Sequence, residues 1–247
     1  MGRLDQALVD RGLCESREKA KRAVMAGLVQ INGHRAEKPS DPVTPEDKLT
    51  LVATEKFVSR GGQKLEHALD HFHLDVSGQT AIDLGASTGG FTDCLLQRGA
   101  ARIYAVDVGQ GQLAWKLRCN PQVVVMEKTN ARTLTRASFP PPYAPADLAV
   151  IDCSFISLQK ILPAAVALLQ PFAKIVALIK PQFEAGKTEA DRGRGVIRDP
   201  AIHQRVLSEL REFVNARNDL RWVGVTESPV LGPAGNKEFL ALIETSG

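Results

Sequence analysis

Two periods of hydrophobicity alternate along most of the chain. Unbroken apolar runs near residues 81–84, 102–106, 122–126, 148–151 and 175–179 have the length of strands buried on both faces. Between them, apolar residues recur every three or four positions, the period of helices that bury one side. Leu65, Ala68, Leu69 and Phe72 mark one such helix, beginning near Ser59; Phe91, Leu95 and Leu96 mark a second; Leu113 and Leu117 mark a third. Residues 156–169 predict a fourth, across which Pro163 would place a kink, and residues 201–217 a fifth. Strands at 222–226 and 239–243, with a turn around 232–235 between them, end the pattern. The alternation predicts a parallel sheet wound on both sides and closed by an antiparallel final hairpin.

The first fifty-odd residues follow a different plan. Leu4, Ala7 and Leu8 give a short helix over 3–11 that Gly12 ends, and Ser16 stands as the N-cap of a second helix over 17–26 that Gly27 stops. A strand at 28–31, an Asn32-Gly33 turn and another strand at 48–52 complete a unit with too little core to be a large domain. Arg17, Lys19, Lys21 and Arg22 leave the apolar side of the second helix, which makes that helix a phosphate-facing surface or a solvated face. These patterns divide the chain into a small module at 1–52, a linker at 53–58 and a larger domain at 59–247.

Chemistry concentrates at the ends of the predicted strands. Asp83 closes the first apolar run and is followed by Gly85, Ser87, Gly89 and Gly90, a strand, tight loop and helix start that suits an anionic ligand group. The spacing Gly-x-x-x-Gly-Gly differs from the Gly-x-Gly-x-x-Gly of dinucleotide loops, which disfavours a nicotinamide enzyme. An acid at Asp83 suits a ligand with a positive end, such as the amino-acid part of S-adenosylmethionine. Asp107, about twenty residues beyond the glycine loop, is placed either for ribose hydroxyls or to cap the next helix. Asn130 follows the third strand, as an adenine contact or a loop cap. Asp152 ends the fourth strand, and Lys180, held extended by Pro181, ends the fifth. Lys64 reads as a surface lysine off the buried face of its helix. Residues 183–199 read as a polar loop carrying Lys187, Arg192, Arg194 and Arg198, able to hold RNA phosphates.

Composition narrows the classes. At 247 residues the chain can hold one α/β domain and a small module. No window approaches the ~20 apolar residues that span a bilayer, so a soluble, cytoplasmic protein is expected. Cys14, Cys94, Cys119 and Cys153 are widely spaced, with no Cys-x-x-Cys pair to suggest a metal, and read as reduced core residues. A net charge of +3 names no partner by itself.

Two sets of motifs carry a family resemblance. Arg3-Leu4-Asp5, Ser16-Arg17-x-x-Ala20 and Gly27-x-Val29-x-Ile31-Asn32-Gly33 resemble the small RNA-binding domain of ribosomal protein S-four and pseudouridine synthases, which implies recognition of structured RNA through Arg3, Arg17, Lys19, Lys21 and Arg22. Val58-Ser59-Arg60-Gly61-Gly62-x-Lys64-Leu65, the 83–91 loop, Asp152-x-Ser154-Phe155-Ile156-Ser157, Lys180-Pro181-Gln182-Phe183-Glu184 and Gly235-Asn236-x-Glu238 resemble the TlyA family, FtsJ-like ribose 2′-O-methyltransferases once labelled haemolysins. The resemblance implies a Rossmann-like α/β methyltransferase sheet preceded by a small α+β RNA-binding domain. It implies S-adenosylmethionine as cofactor, ribosomal RNA as substrate, a cytidine as target, and no metal, membrane or stable protein partner. It also implies a catalytic set of Lys64, Asp152, Lys180 and Glu238, with Asp83, Gly85, Ser87, Gly89, Asp107 and Asn130 toward the cofactor. On that reading Asp152 orients Lys180, Glu238 holds Lys64 or the ribose, and Lys180 acts on the hydroxyl as a base or as a charged stabiliser. The competing classes are a non-catalytic RNA-binding assembly factor and a membrane-lytic haemolysin.

Overall fold

A computed structural model of the chain describes residues 2–52 and 56–247. The chain divides into two compact units, Met1–Lys56 and Phe57–Gly247. Of the expected linker, residues 53–55 lie outside the described residues. Phe57 is buried with Leu65 and Ala68 in the core of the larger unit, and the Val58 N–H donates to Asp93 at 2.8 Å, so these two positions are not linker.

In the smaller unit the order is β1 (Gly2–Arg3), α1 (Leu4–Asp10), α2 (Arg17–Met25), β2 (Val29–Ile31), β3 (His34–Arg35), β4 (Pro42–Val43) and β5 (Leu49–Leu51). Ser16 caps α2 by accepting the Lys19 N–H. Asn32 and Gly33, both at positive φ, make the two-residue turn that pairs Ile31 with His34. Strand β2 runs between β3 and β5, while β1 pairs with β4. Leu4, Leu8, Ala20, Val24, Val29 and Val43 fill the space between helices and strands.

The larger unit runs α3 (Gly61–His71), β6 (Thr80–Leu84), α4 (Gly90–Gln97), β7 (Arg102–Val106), α5 (Trp115–Arg118), β8 (Val123–Met126), β9 (Ala146–Ile151), α6 (Leu162–Val166), β10 (Leu169–Ile179), α7 (Pro181–Glu184), α8 (Lys187–Arg192), α9 (Pro200–Asn215), β11 (Leu220–Glu227) and β12 (Phe239–Thr245). Its seven strands lie in the order β11-β12-β10-β9-β6-β7-β8. The five from β10 to β8 are parallel, and β12 enters antiparallel between β10 and β11. One apolar layer, with Leu65, Leu69, Phe91 and Leu95, covers one face of the sheet. A second, with Ile161, Leu162, Val206 and Leu210, covers the other.

Three local expectations are corrected. The helix read at 156–169 is a 3-10 turn at Leu158–Lys160 followed by the one-turn α6. Pro163 lies in the first turn of α6, where its missing N–H removes no helical bond, so it kinks nothing. The stretch read as a polar loop at 183–199 begins within α7 and contains α8; the side chains of Lys187 and Arg192 lie outside the described residues. Of the cysteines, Cys94 is buried, Cys14 and Cys153 are partly buried, Cys119 is exposed, and none forms a disulfide among the described residues.

Candidate active site

Strands β6 and β9 are neighbours at the centre of the sheet, yet the chain leaves β6 toward β7 and β8 and returns to β9 on the other side. Their carboxyl ends therefore open a crevice at the point where strand order reverses. Gly85 follows β6 and donates its N–H to Val106 at 2.9 Å; Asp152 follows β9 and donates its N–H to the Leu84 carbonyl at 2.9 Å. Gly85 has φ +90°, and a Cβ there would stand 2.7 Å from the Asp152 carbonyl oxygen. A glycine is thus what lets the two strand ends meet. Cavities of about 400, 180 and 530 Å³ open from this point, and Gly85, Ser87 and Asp152 border all three.

The 400 Å³ cavity is lined by Asp107, Val108, Gln112, Asn130 and Ile156 beside that shared rim. Asp107 accepts the Ser87 N–H through Oδ2 at 2.8 Å and the Gly109 N–H through Oδ1 at 2.6 Å. It does not cap a helix: α5 begins at Trp115 with Ala114 as its N-cap. Each Asp107 oxygen keeps a lone pair for a further donor, which fits a vicinal diol. Asn130 caps its loop, its Oδ1 accepting the Arg132 N–H at 3.0 Å, and it also borders the cavity. Ala131, Ile156 and Ile161 add apolar wall suited to a flat ring. This donor set and wall fit S-adenosylmethionine.

Asp83 and Gly89 are placed differently from expectation. Asp83 is fully buried, and its Oδ2 accepts the Thr92 hydroxyl of α4 at 2.6 Å. Burial, with the charges of Asp152 and Asp107 adding to it, pushes its carboxyl up to about 7. Its side chain faces α4 rather than the cavities, and among the described residues its Oδ1 has no hydrogen-bond partner. Gly89 sits at the α4 N-cap, where a Cβ would strike Leu117 and Leu113, so it serves packing beneath the loop.

Lys64, Asp152, Lys180 and Glu238 all line the 530 Å³ cavity. Antiparallel pairing of Ile179 with Phe239 brings Lys180 and Glu238 to the rim on adjacent strands. Lys180 Nζ lies 2.6 Å from Asp152 Oδ1, 2.8 Å from Ser154 Oγ and 3.4 Å from the Asp152 carbonyl, three acceptors for the three donors of an ammonium. Lys64 is buried, contrary to its reading as a surface residue, and forms an ion pair with the buried Glu238. Among the described residues the other Glu238 oxygen, Oε1, is buried and has no hydrogen-bond partner.

Four side chains not singled out individually from the sequence help to shape this cavity. Ser154 holds Lys180. Phe155 is 90% exposed, has φ +63° and rests on Phe183 at 5.0 Å between ring centroids. Glu184 fixes the Phe155 loop to α7 by accepting the Leu158 N–H at 2.8 Å. Asn236, fully buried, accepts the Ile197 N–H and donates to the Gly195 carbonyl, each at 2.8 Å, and so fastens the 193–198 segment beside Glu238. The exposed aromatic and the Gly-Asn-x-Glu spacing were the available signals.

In the smaller unit, Arg3 and Arg17 both bond to the buried Asp5. Lys19 pairs with Glu15 and Lys21 with Glu18, while Arg22 is exposed. Among the described residues no helix is long and apolar enough to cross a membrane.

The family model for FtsJ-like methyltransferases matches residues 57–244, and that for the S4 domain matches residues 2–49. The chain is 47% identical to the Mycobacterium tuberculosis protein named 16S/23S rRNA (cytidine-2′-O)-methyltransferase TlyA, over 98% of this chain and 90% of that protein. It is 39% identical to Hemolysin A of Brachyspira hyodysenteriae, over 97% of this chain and 98% of that one. The solved structure of a Streptococcus thermophilus protein that bears a hemolysin label aligns with a TM-score of 0.74 and 45% identity, covering 99% of this chain and 88% of that chain.

Proposed function

This chain belongs to the FtsJ-like methyltransferase family, alongside TlyA, and we propose that it transfers a methyl group from S-adenosylmethionine to the 2′-hydroxyl of a cytidine ribose in ribosomal RNA. The observation that carries the reading is the meeting of two ion-paired lysines, Lys64 with Glu238 and Lys180 with Asp152, in the cavity that adjoins Gly85. S-adenosylmethionine, when bound, supplies an electrophilic methyl group on a sulfonium. Gly85, Ser87, Asp107 and Asn130 would hold it, with Asp107 accepting the hydroxyls of its ribose.

A ribose hydroxyl is a weak nucleophile near neutral pH, and methyl transfer is an in-line displacement that needs alignment and removal of one proton. Lys180 gives up its long 3.4 Å contact with the Asp152 carbonyl to meet the hydroxyl oxygen, and the proton leaves into the Lys180–Asp152 pair as negative charge develops. Asp152 and Ser154 fix the direction of Nζ. Lys64, oriented by Glu238, adds a second positive group at the same cavity, and stabilisation of this kind acts most strongly in a site from which water is excluded. RNA is gathered by the basic residues of the smaller unit, Arg3, Arg17, Lys19, Lys21 and Arg22, and the protein acts in the cytoplasm, where ribosomes are assembled.

Labelled S-adenosylmethionine incubated with the protein and ribosomal subunits is expected to mark a single class of product, a 2′-O-methylated cytidine. Label on a base, or no transfer by a protein that binds the cofactor, would remove the reading. Phe155, exposed at the mouth of the cavity and backed by Phe183, is assigned to stack on the target base. Because base–aromatic stacking contributes about 1–3 kcal/mol, Phe155→Ala should raise KM for RNA on the order of tenfold and leave cofactor affinity unchanged. Steady-state kinetics with each substrate varied in turn would check this.

A further inference from the structure

We propose that Asp5 is a positioning residue for RNA recognition, which holds Arg3 and Arg17 from below as one preorganised seat for a backbone phosphate. The inference rests on the RNA-directed reading of the smaller unit given above. Asp5 exposes none of its side chain, whereas Arg3 and Arg17 above it are 53% and 49% exposed. Its Oδ1 accepts Arg3 Nε at 3.1 Å and the Gln6 N–H at 3.0 Å, and its Oδ2 accepts Arg3 Nη2 at 3.2 Å and Arg17 Nη2 at 3.0 Å. The two guanidinium groups therefore share one carboxylate although they come from opposite ends of the α1–α2 hairpin.

Depth is what distinguishes this cluster from the other ion pairs of α2. Lys19 and Lys21 pair with Glu15 and Glu18, whose side chains are 82% and 70% exposed. A phosphate that approaches either lysine meets a carboxylate at the same level and is partly repelled. Over Asp5 it meets the guanidinium groups first, with the acid behind them. Those groups keep free N–H donors on the solvent side, in the planar geometry that matches phosphate oxygens. Without the acid, two neighbouring cations repel each other and each must be ordered separately when RNA binds, at a cost in side-chain entropy. The hydrogen bond from Arg3 above all keeps the Asp5 carboxyl down at about 2, so the brace stays ionised at any pH at which the module works.

The test is binding of the full chain to deproteinised ribosomal RNA from about 50 to 200 mM salt, for wild type, Asp5→Asn, the pair Arg3→Gln with Arg17→Gln, and all three changes together. Asp5→Asn is expected to weaken binding on the order of tenfold, to flatten the logarithmic salt slope by roughly one to two, and to raise KM for RNA more than it changes kcat. The triple variant should bind like the double, because Asp5 acts only through the arginines. Wild-type affinity and slope in Asp5→Asn would overturn the assignment, as would a triple variant that binds more weakly than the double. If Asp5→Asn melts the module, Arg17→Lys is the second arm: it keeps the charge and loses the fork, so weaker binding on a folded module supports the seat and unchanged binding removes it. A protein that binds RNA in this pattern but methylates no ribose would end the enzymatic reading and leave Asp5 in place, so the two fail separately.

Discussion

Lys180→Ala is expected to lower methyl transfer by at least about a thousandfold while S-adenosylmethionine binds nearly as before. The two effects separate because Lys180 lines the 530 Å³ cavity and is absent from the wall of the 400 Å³ one. Removing its side chain takes away the group proposed to face the hydroxyl and leaves Asp152 as a carboxylate without its cation in the same cavity. A negative group then opposes the charge that the reaction develops, so the loss exceeds that of a single hydrogen bond. Single-turnover transfer to RNA, with calorimetry of cofactor binding on the same preparation, checks both halves. A variant with a near-normal single-turnover rate would mean that another group activates the hydroxyl.

Gly85→Ala should have a comparable effect by the opposite route, through loss of cofactor binding. A side chain at φ +90° costs about 1–2 kcal/mol in backbone strain, and a Cβ only 2.7 Å from the Asp152 carbonyl oxygen and 2.9 Å from its carbon forces the two strand ends apart. Both ends belong to rigid parallel strands, so the loop that carries Ser87 has to move instead. Because Ser87 N–H fixes Asp107, the disturbance reaches the far side of the cavity. Cofactor affinity is expected to fall by more than about a hundredfold, with a melting temperature lowered by several degrees for a cost of this size. Calorimetric affinity within a few-fold of wild type would contradict the assigned role of this contact.

The sheet was legible because strands buried on both faces announce themselves as unbroken apolar runs, and the polar residue that ends each run marks the rim. Asp107, Asp152 and Lys180 were found in that way. Lys64 was misread for a reason that lies in helix geometry. It stands four residues before Ala68 and next to Leu65, so its Cβ falls on the buried row, and the lysine enters the cavity from within the packed face. Sequence hydrophobicity assigned the charge outward; the Glu238 carboxylate, 174 residues away, supplies the compensation that makes the inward position possible. Asp83 failed in the reverse sense. A strand-end acid looks like a ligand contact, but side chains alternate along a strand, and this one turns to Thr92. The basic residues of α2 were visible as charge, whereas which of them face solvent unopposed depends on the depth of each acid partner, which no linear pattern encodes.

The placement of β12 has a bearing on how the protein is made. Strand β12 is the last in sequence yet lies between β10 and β11, and Glu238, which immediately precedes it, comes to the rim with it. Until that pairing happens Lys64 has no Glu238 opposite it, so a partly assembled sheet holds a cofactor loop, a Lys180 already paired with Asp152, and one cation without its counter-ion. The Lys64–Glu238 pair therefore exists only once β12 is seated on β10.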